Sequence, residues 1–152
     1  MAPNFMKVLL LALTYLWAFA SPVWETSFEK ARQQATDNHR MILLNFSGSD
    51  WCGPCIRLKN EIFDNSTFLT FADQQLVLLN ADFPRSKKHQ LSKEQQHMND
   101  DLAEKYNPEG HFPYTLLLDE NGKVIKAWDG FPNTTTDQFV DQLKTACHGA
   151  GK

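Results

Sequence analysis

The chain has 152 residues, with 15 Lys and Arg against 18 Asp and Glu and a formal net charge of −3. That length supports one domain with a real core. The slightly acidic balance, with no dense basic run interleaved with aromatics, argues against nucleic acid as a partner. Three cysteines, two of them in one Cys-x-x-Cys, do not make a structural disulfide framework.

Residues Met1 to Ala20 read as a secretory signal peptide rather than part of the fold. Lys7 is their only charge, Val8 to Phe19 is nearly all apolar, and Ala18-Phe19-Ala20 is an A-x-A cleavage site. The mature protein is expected to start at Ser21, and residues 21–152 to form a single domain. An uncleaved anchor is the alternative. No cysteine follows the apolar run, so a bacterial lipoprotein anchor is excluded. Export places the chain where disulfides persist.

Ser27 to Asn38 predicts a helix with Phe28, Ala31 and Ala35 on one face. Met41 to Phe46 predicts a central strand buried on both faces. A polar loop, Ser47 to Asp50, leads to Trp51-Cys52-Gly53-Pro54-Cys55, and a helix from Cys52 to about Phe63 follows, bent or turned near Asp64-Asn65. Ser66 to Ala72 predicts a short helix, and Leu76 to Asp82 a second buried strand.

Arg85 to Tyr106 is polar, with Leu91, Met98, Leu102 and Tyr106 at mostly helical spacing. It reads as a surface helical insertion, roughly residues 85–101, followed by a helix around Asp100 to Tyr106. Tyr114 to Asp119 and Val124 to Trp128 predict a hairpin, with Asn121-Gly122 able to take positive φ at both central positions of its turn. Thr136 to Cys147 predicts a last helix, capped from Thr134 to Thr136 with Phe139, Val140 and Leu143 inward, before a frayed tail from His148. The order implies an α/β fold, a mixed sheet with helices on both faces.

The cysteine pair falls where a strand ends and a helix begins. A helix N-terminus presents unpaired N–H groups and positive dipole charge, which lower the pKa of a thiol placed there. Cys52 takes that place and is the candidate nucleophile. Cys55, one turn on, can attack a mixed disulfide formed at Cys52. The alternatives are a structural disulfide or half of a zinc site. Zinc needs further ligands, and only Cys147-His148 offers any; no metal is expected.

Trp51-Cys52-Gly53-Pro54-Cys55 resembles the active-site motif of the thioredoxin family. His111-Phe112-Pro113-Tyr114-Thr115-Leu116-Leu117-Leu118-Asp119 resembles the family segment in which a cis-proline opens a strand and faces the cysteines. The resemblance spans roughly Trp24 to Cys147. It implies a thioredoxin fold with the insertion before the cis-proline strand. It also implies active-site support from Trp51, Gly53, Pro54, Phe112, Pro113 and Gly130. Phe112 is expected to touch the disulfide, and Gly130 to let a substrate approach, a plain turn glycine being the alternative.

Among exported relatives the resemblance is to periplasmic thioredoxin-like proteins of Gram-negative bacteria. It implies a monomer that reduces disulfides of exported proteins, with no bound cofactor beyond the cysteine pair. Electrons would come from a membrane thiol transporter of the DsbD or CcdA kind. A disulfide oxidase or isomerase, and a non-catalytic binding module, are the rival readings. One departure stands out. Asn45 occupies the place where many thioredoxins carry a buried Asp, and Leu78 the place of the lysine that can pair with it. Asn cannot exchange a proton as a carboxylate does. Asp50 is expected to be solvent-exposed and Asp82 to act as a surface cap. His111 could lie at the rim of the site or be an ordinary loop histidine, and Cys147 is expected to be a free thiol.

Overall fold

The computed structural model describes residues 22–150. The expected signal segment Met1–Ala20 lies outside the described residues. Within them, five strands form one mixed sheet in the order β1-β3-β2-β4-β5. The strands are β1 (Trp24–Glu25), β2 (Met41–Ser47), β3 (Leu76–Asp82), β4 (Tyr114–Leu118) and β5 (Val124–Asp129). β3 runs parallel to β1 and β2, whereas β4 runs antiparallel to β2 and β5. The helices are α1 (Phe28–Asn38), α2 (Gly53–Leu58), α3 (Ser66–Gln75), α4 (Lys93–Tyr106) and α5 (Thr136–Ala150).

Alternation along β2 divides the core between the two faces of the sheet. Leu43 joins Leu58, Ile62, Phe68 and Phe139 on the face covered by α2, α3 and α5. Ile42, Leu44 and Phe46 join Ala31, Ala35 and Leu102 on the face covered by α1 and α4. Asn45 therefore belongs to the Leu43 face, under α2. With strands on both sides, β2 is buried along its length after Met41, as its continuous apolar pattern predicts.

Three sequence expectations are corrected, and one strand is added. The Arg85–Tyr106 stretch does not hold a separate insertion helix and a family helix. After a short 3₁₀ turn at Lys87–His89 it forms one helix, α4, whose Ser92 hydroxyl accepts the Gln95 N–H at 3.1 Å. The turn between β4 and β5 has positive φ at Gly122 alone, not at both central residues. Asp119 makes up the difference, because its Oδ1 accepts N–H groups from Asn121 and Lys123, both at 2.9 Å. The last helix continues through His148 to Ala150, where a frayed tail was expected. Finally, β1 was not anticipated; two residues carry no periodicity to read.

The expected bend after α2 is a single widened turn over Lys59–Phe63, in which the Asp64 N–H reaches back five residues to the Lys59 carbonyl at 2.8 Å. It directs Ile62 and Phe63 into the core.

Candidate active site

The loop after β2 delivers Cys52 to the N-cap of α2, with Gly53 and Pro54 as the first helical residues. Proline is well suited there, since its missing N–H would have had no partner within the helix. Cys52 and Cys55 form a disulfide with their Cα atoms 5.2 Å apart. The Cys55 N–H points at Cys52 Sγ at 3.3 Å, so a helix N–H is already aimed at the sulfur that would carry negative charge after reduction. Both cysteines are nearly buried, at 4% and 5% exposure, while Gly53 and Pro54 are exposed.

Phe112–Pro113 is a cis peptide bond, and the Pro113 carbonyl accepts the Gly130 N–H at 2.9 Å. Gly130 has φ +75°, a backbone conformation that glycine adopts without strain, and a side chain there would meet open space. The two distant segments named in the sequence meet at one end of the sheet, where Phe112 packs against Trp51.

Trp51 anchors the outer rim. Its Nε1 donates to the Phe83 carbonyl at 2.7 Å. Phe112 packs edge-on against both Trp51 and Phe83, with ring centroids 5.4 and 5.6 Å apart. The partners of Phe112 on the rim are therefore two rings. The Arg85 guanidinium lies 3.7 Å over the Trp51 ring. Gly48 gives Trp51 its room, because a Cβ there would collide with the indole.

Asp50 is not solvent-exposed as expected. Its side chain is only 11% exposed, because its oxygens accept N–H groups from Arg85 at 2.9 Å and Ser86 at 2.8 Å and meet His89 Nδ1 at 3.2 Å. These hydrogen bonds, the one from Arg85 foremost, hold the carboxyl below its ordinary pKa. Asp82 is not the surface cap expected of it but a half-buried acceptor for a distant loop. It accepts from Ser47 Oγ, from the Ser49 N–H at 2.9 Å and from Ser49 Oγ at 2.5 Å, fixing the loop that leads to Cys52. His111 is ringed by carboxylates, with Asp129 at 2.9 Å and Glu109 at 3.1 Å.

Behind Cys55 lies a cavity of about 310 Å³ lined by Trp24, Asn45, Ser47, Ser49, Ile56, Lys59, Phe63 and Asn80 as well as Cys55 itself. Asn45 is 6% exposed; its Nδ2 donates to Asn80 Oδ1 at 3.0 Å, and its Oδ1 accepts from the Thr115 hydroxyl at 3.0 Å. The sequence reading missed Asn80 and Thr115. It looked for a partner at Leu78, whereas the strand register places Asn80 and Thr115 opposite Asn45, and Leu78 is buried in the core. Lys59 lines the cavity but pairs with Asp64 at 2.6 Å. Cys147 is a free, half-buried thiol on α5, and burial pushes its pKa up. Among the described residues, no group of three or more His, Cys, Asp or Glu side chains is arranged to hold a metal ion.

A mixed sheet between two helical layers, with a Cys-x-x-Cys at a helix N-terminus beside a cis-proline, defines a thioredoxin-fold disulfide protein. A family model described as Thioredoxin-like matches residues 23–119, and the chain belongs to that family. It is 36% identical to the disulfide bond reductase DsbH of Chlamydia pneumoniae over 129 residues, which are 85% of this chain and 75% of that protein. It is 26% identical over 128 residues to the thioredoxin-related protein DsbJ of the same organism, covering 84% of this chain but 35% of that longer one. A solved DsbH oxidoreductase superposes with a TM-score of 0.77 at 30% identity, covering 97% of this chain and 95% of that one. The chain is thus a thiol–disulfide oxidoreductase of the DsbH and DsbJ type, carrying the Cys52–Cys55 pair.

Proposed function

We propose that the protein is an exported disulfide reductase of the periplasm, with Cys52 as nucleophile and Cys55 as resolving thiol. The observation that carries this reading is the Cys55 N–H directed at Cys52 Sγ at the start of α2. It supports a stable thiolate at Cys52, and a stabilised thiolate is what an attacking cysteine needs. The 36% identity to a disulfide bond reductase supports the reducing direction.

In the reaction, Cys52 thiolate attacks one sulfur of a substrate disulfide. The substrate S–S bond breaks, a mixed disulfide forms, and the second substrate sulfur leaves as a thiolate that takes a proton from solvent. Cys55 then loses its proton and attacks Cys52 Sγ. The mixed disulfide breaks, the remaining substrate thiolate departs, and two electrons have passed from the pair to the substrate. A dithiol donor restores the pair; a membrane thiol transporter of the DsbD or CcdA kind fits an exported reductase.

Cys55 faces amides and hydroxyls rather than a carboxylate. Asn45 cannot take its proton, so the proton leaves to solvent in the cavity. On the outer side, Pro113 lacks an N–H and Gly130 carries no side chain, which leaves a backbone edge for an extended substrate segment. Trp51, Phe112, Gly53 and Pro54 complete the contact surface around the sulfurs.

The test is the reduction potential of the Cys52–Cys55 couple in defined thiol buffers, with insulin reduction measured alongside. A couple near the −270 mV of thioredoxin, with insulin reduced, is the expected result. A couple near the −120 mV of a strong oxidant such as DsbA would reverse the assigned direction. A pair that does not titrate reversibly would leave only a binding role.

A further inference from the structure

We infer that the loop between β3 and α4, residues 83–89, is a docking edge for acidic residues that flank the disulfide of a substrate protein. This rests on the dithiol's acting on protein disulfides, as proposed above, and adds a substrate class to it.

The loop is built into the rim of the site. Phe83 accepts the Trp51 indole N–H, and Asp50 accepts the N–H groups of Arg85 and Ser86 and contacts His89. The two residues immediately before Cys52 therefore hold this loop beside the sulfurs. Arg85, Lys87 and Lys88 bring positive charge to it, on a chain whose net charge is −3. Among the described residues, none of these three side chains has a carboxylate within 4.0 Å. Asp50, which anchors the loop, is occupied by its backbone N–H groups and His89.

Arg85 is preorganised. Its guanidinium is stacked on Trp51, where it is held in place while its edge N–H groups stay available to a carboxylate. Lys88 is three residues further on, so its backbone lies within roughly 11 Å of Arg85. That is close to the Debye length of about 8 Å at physiological salt, so the three charges act on the same approaching segment.

The opposite edge of the site carries the other sign. Glu109 and Asp129 flank His111, next to Phe112 and the cis-proline. Those carboxylates already contact His111, whereas the cations of the 83–89 loop have no carboxylate partner, so an approaching acidic segment is drawn to the loop side and the site selects by charge as well as by the disulfide.

The test uses three synthetic disulfide peptides that differ only in the residues flanking the cysteines: two Glu, two Gln or two Lys. Exchange is followed by rapid mixing in both directions, reduced protein with disulfide peptide and oxidised protein with dithiol peptide, at low and high salt. The Glu peptide should react about fivefold faster than the Gln peptide at low salt, and the Lys peptide more slowly, with the spread collapsing at high salt. The double variant Lys87→Glu/Lys88→Glu, which leaves the Arg85 stack on Trp51 in place, should remove or invert the ratio, and Arg85→Gln should reduce it.

Equal rates for the three peptides, or a ratio untouched by Lys87→Glu/Lys88→Glu, would overturn the docking edge and leave the reductase reading standing. Exchange only from the oxidised protein would overturn the reducing direction, with the charge preference still scored on that limb. No exchange in either direction would overturn both.

Discussion

The outer side of the site, which begins at the residue before Cys52, is made of rings and charge: Trp51 locked to Phe83 and Phe112, with Arg85 stacked above. On its inner side the cysteine pair meets neutral amides and hydroxyls: Asn45 between Asn80 and Thr115, around a cavity. The difference teaches a division of labour. The outer side is rigid and charged, and can choose what approaches Cys52. The inner side is polar, its one charged lining residue, Lys59, paired with Asp64, and it sets how readily Cys55 loses a proton. Changes on the two sides should therefore have different signatures, substrate dependence outside and pH dependence inside.

The largest effect comes from the sulfurs that separate the two sides. Cys52→Ala should lower insulin reduction by at least about a thousandfold, since Cys52 Sγ is the sulfur at which the helix N–H is aimed. Cys55→Ala should leave attack intact and trap the mixed disulfide, visible as a covalent adduct on a non-reducing gel. A Cys55→Ala protein that turned over normally would place resolution elsewhere. Cys147 is the only other thiol; burial holds its pKa above the ordinary thiol value, so it should alkylate slowly at neutral pH.

The next effect tests the outer side. Gly48→Ala puts a Cβ where the Trp51 indole now lies, so the ring must move. The contacts to Phe83, Phe112 and Arg85 depend on that ring. A destabilisation of about 1–3 kcal/mol is expected by denaturant titration. The rate should fall more for bulky protein substrates than for small disulfides. An equal fall for both would mean the rim does not contact substrate.

These two sides were not equally legible in the sequence. Trp51, Cys52 and Cys55 are close in the chain, and their chemistry can be read from spacing alone. Pro113 and Gly130 were reachable through family resemblance, because each is a residue type with a distinctive backbone habit. Asn80 and Thr115 were not. Nothing local marks either as a partner of Asn45; only the parallel register of β2 with β3 and the antiparallel register of β2 with β4 bring them together. Asp50 was misjudged for the same reason, since its donors lie 35 and 36 residues away. α4 reads as two pieces in the sequence because Asn99-Asp100-Asp101, poor helix formers, fall in its middle; in the structure it runs unbroken from the Ser92 cap.

Asn45→Asp sharpens the inner side. Burial would raise the new carboxyl's pKa. The sign follows: a carboxyl whose folded pKa lies above its unfolded value destabilises the fold as pH rises past the unfolded value. At pH 7 the variant should be about 1–3 kcal/mol less stable, with the deficit fading below about pH 4. Resolution of the mixed disulfide should gain a second pH-dependent limb, set by the new carboxyl, beside the one that ionisation of Cys55 itself gives the native protein. A native protein that already shows two limbs would have some other group accepting the proton. Thr115→Val removes one hydrogen bond to Asn45 Oδ1, and about 1 kcal/mol of stability should go with it.

The smallest effect, and the most local, lies at the join between the docking loop and the cysteine loop. Asp50 holds the Arg85 and Ser86 N–H groups, and those bonds keep its pKa low. A carboxyl depressed in the folded state holds its contacts above the unfolded pKa and loses them as pH falls through the folded one. The loop should therefore stay docked at neutral pH and loosen only in strong acid. Asp50→Ala should loosen it at every pH. The Arg85 and Ser86 amides would then exchange with solvent faster, while the amides of β2 and β3 keep their protection. Because the Trp51 bond to Phe83 remains, global stability should change little. The charge preference of peptide exchange should fall in step with amide protection, since a loop that no longer holds Arg85 in place presents the same charges without their geometry. A variant that lost the protection yet kept the full preference would show that the charges act at long range, without need of the anchored loop.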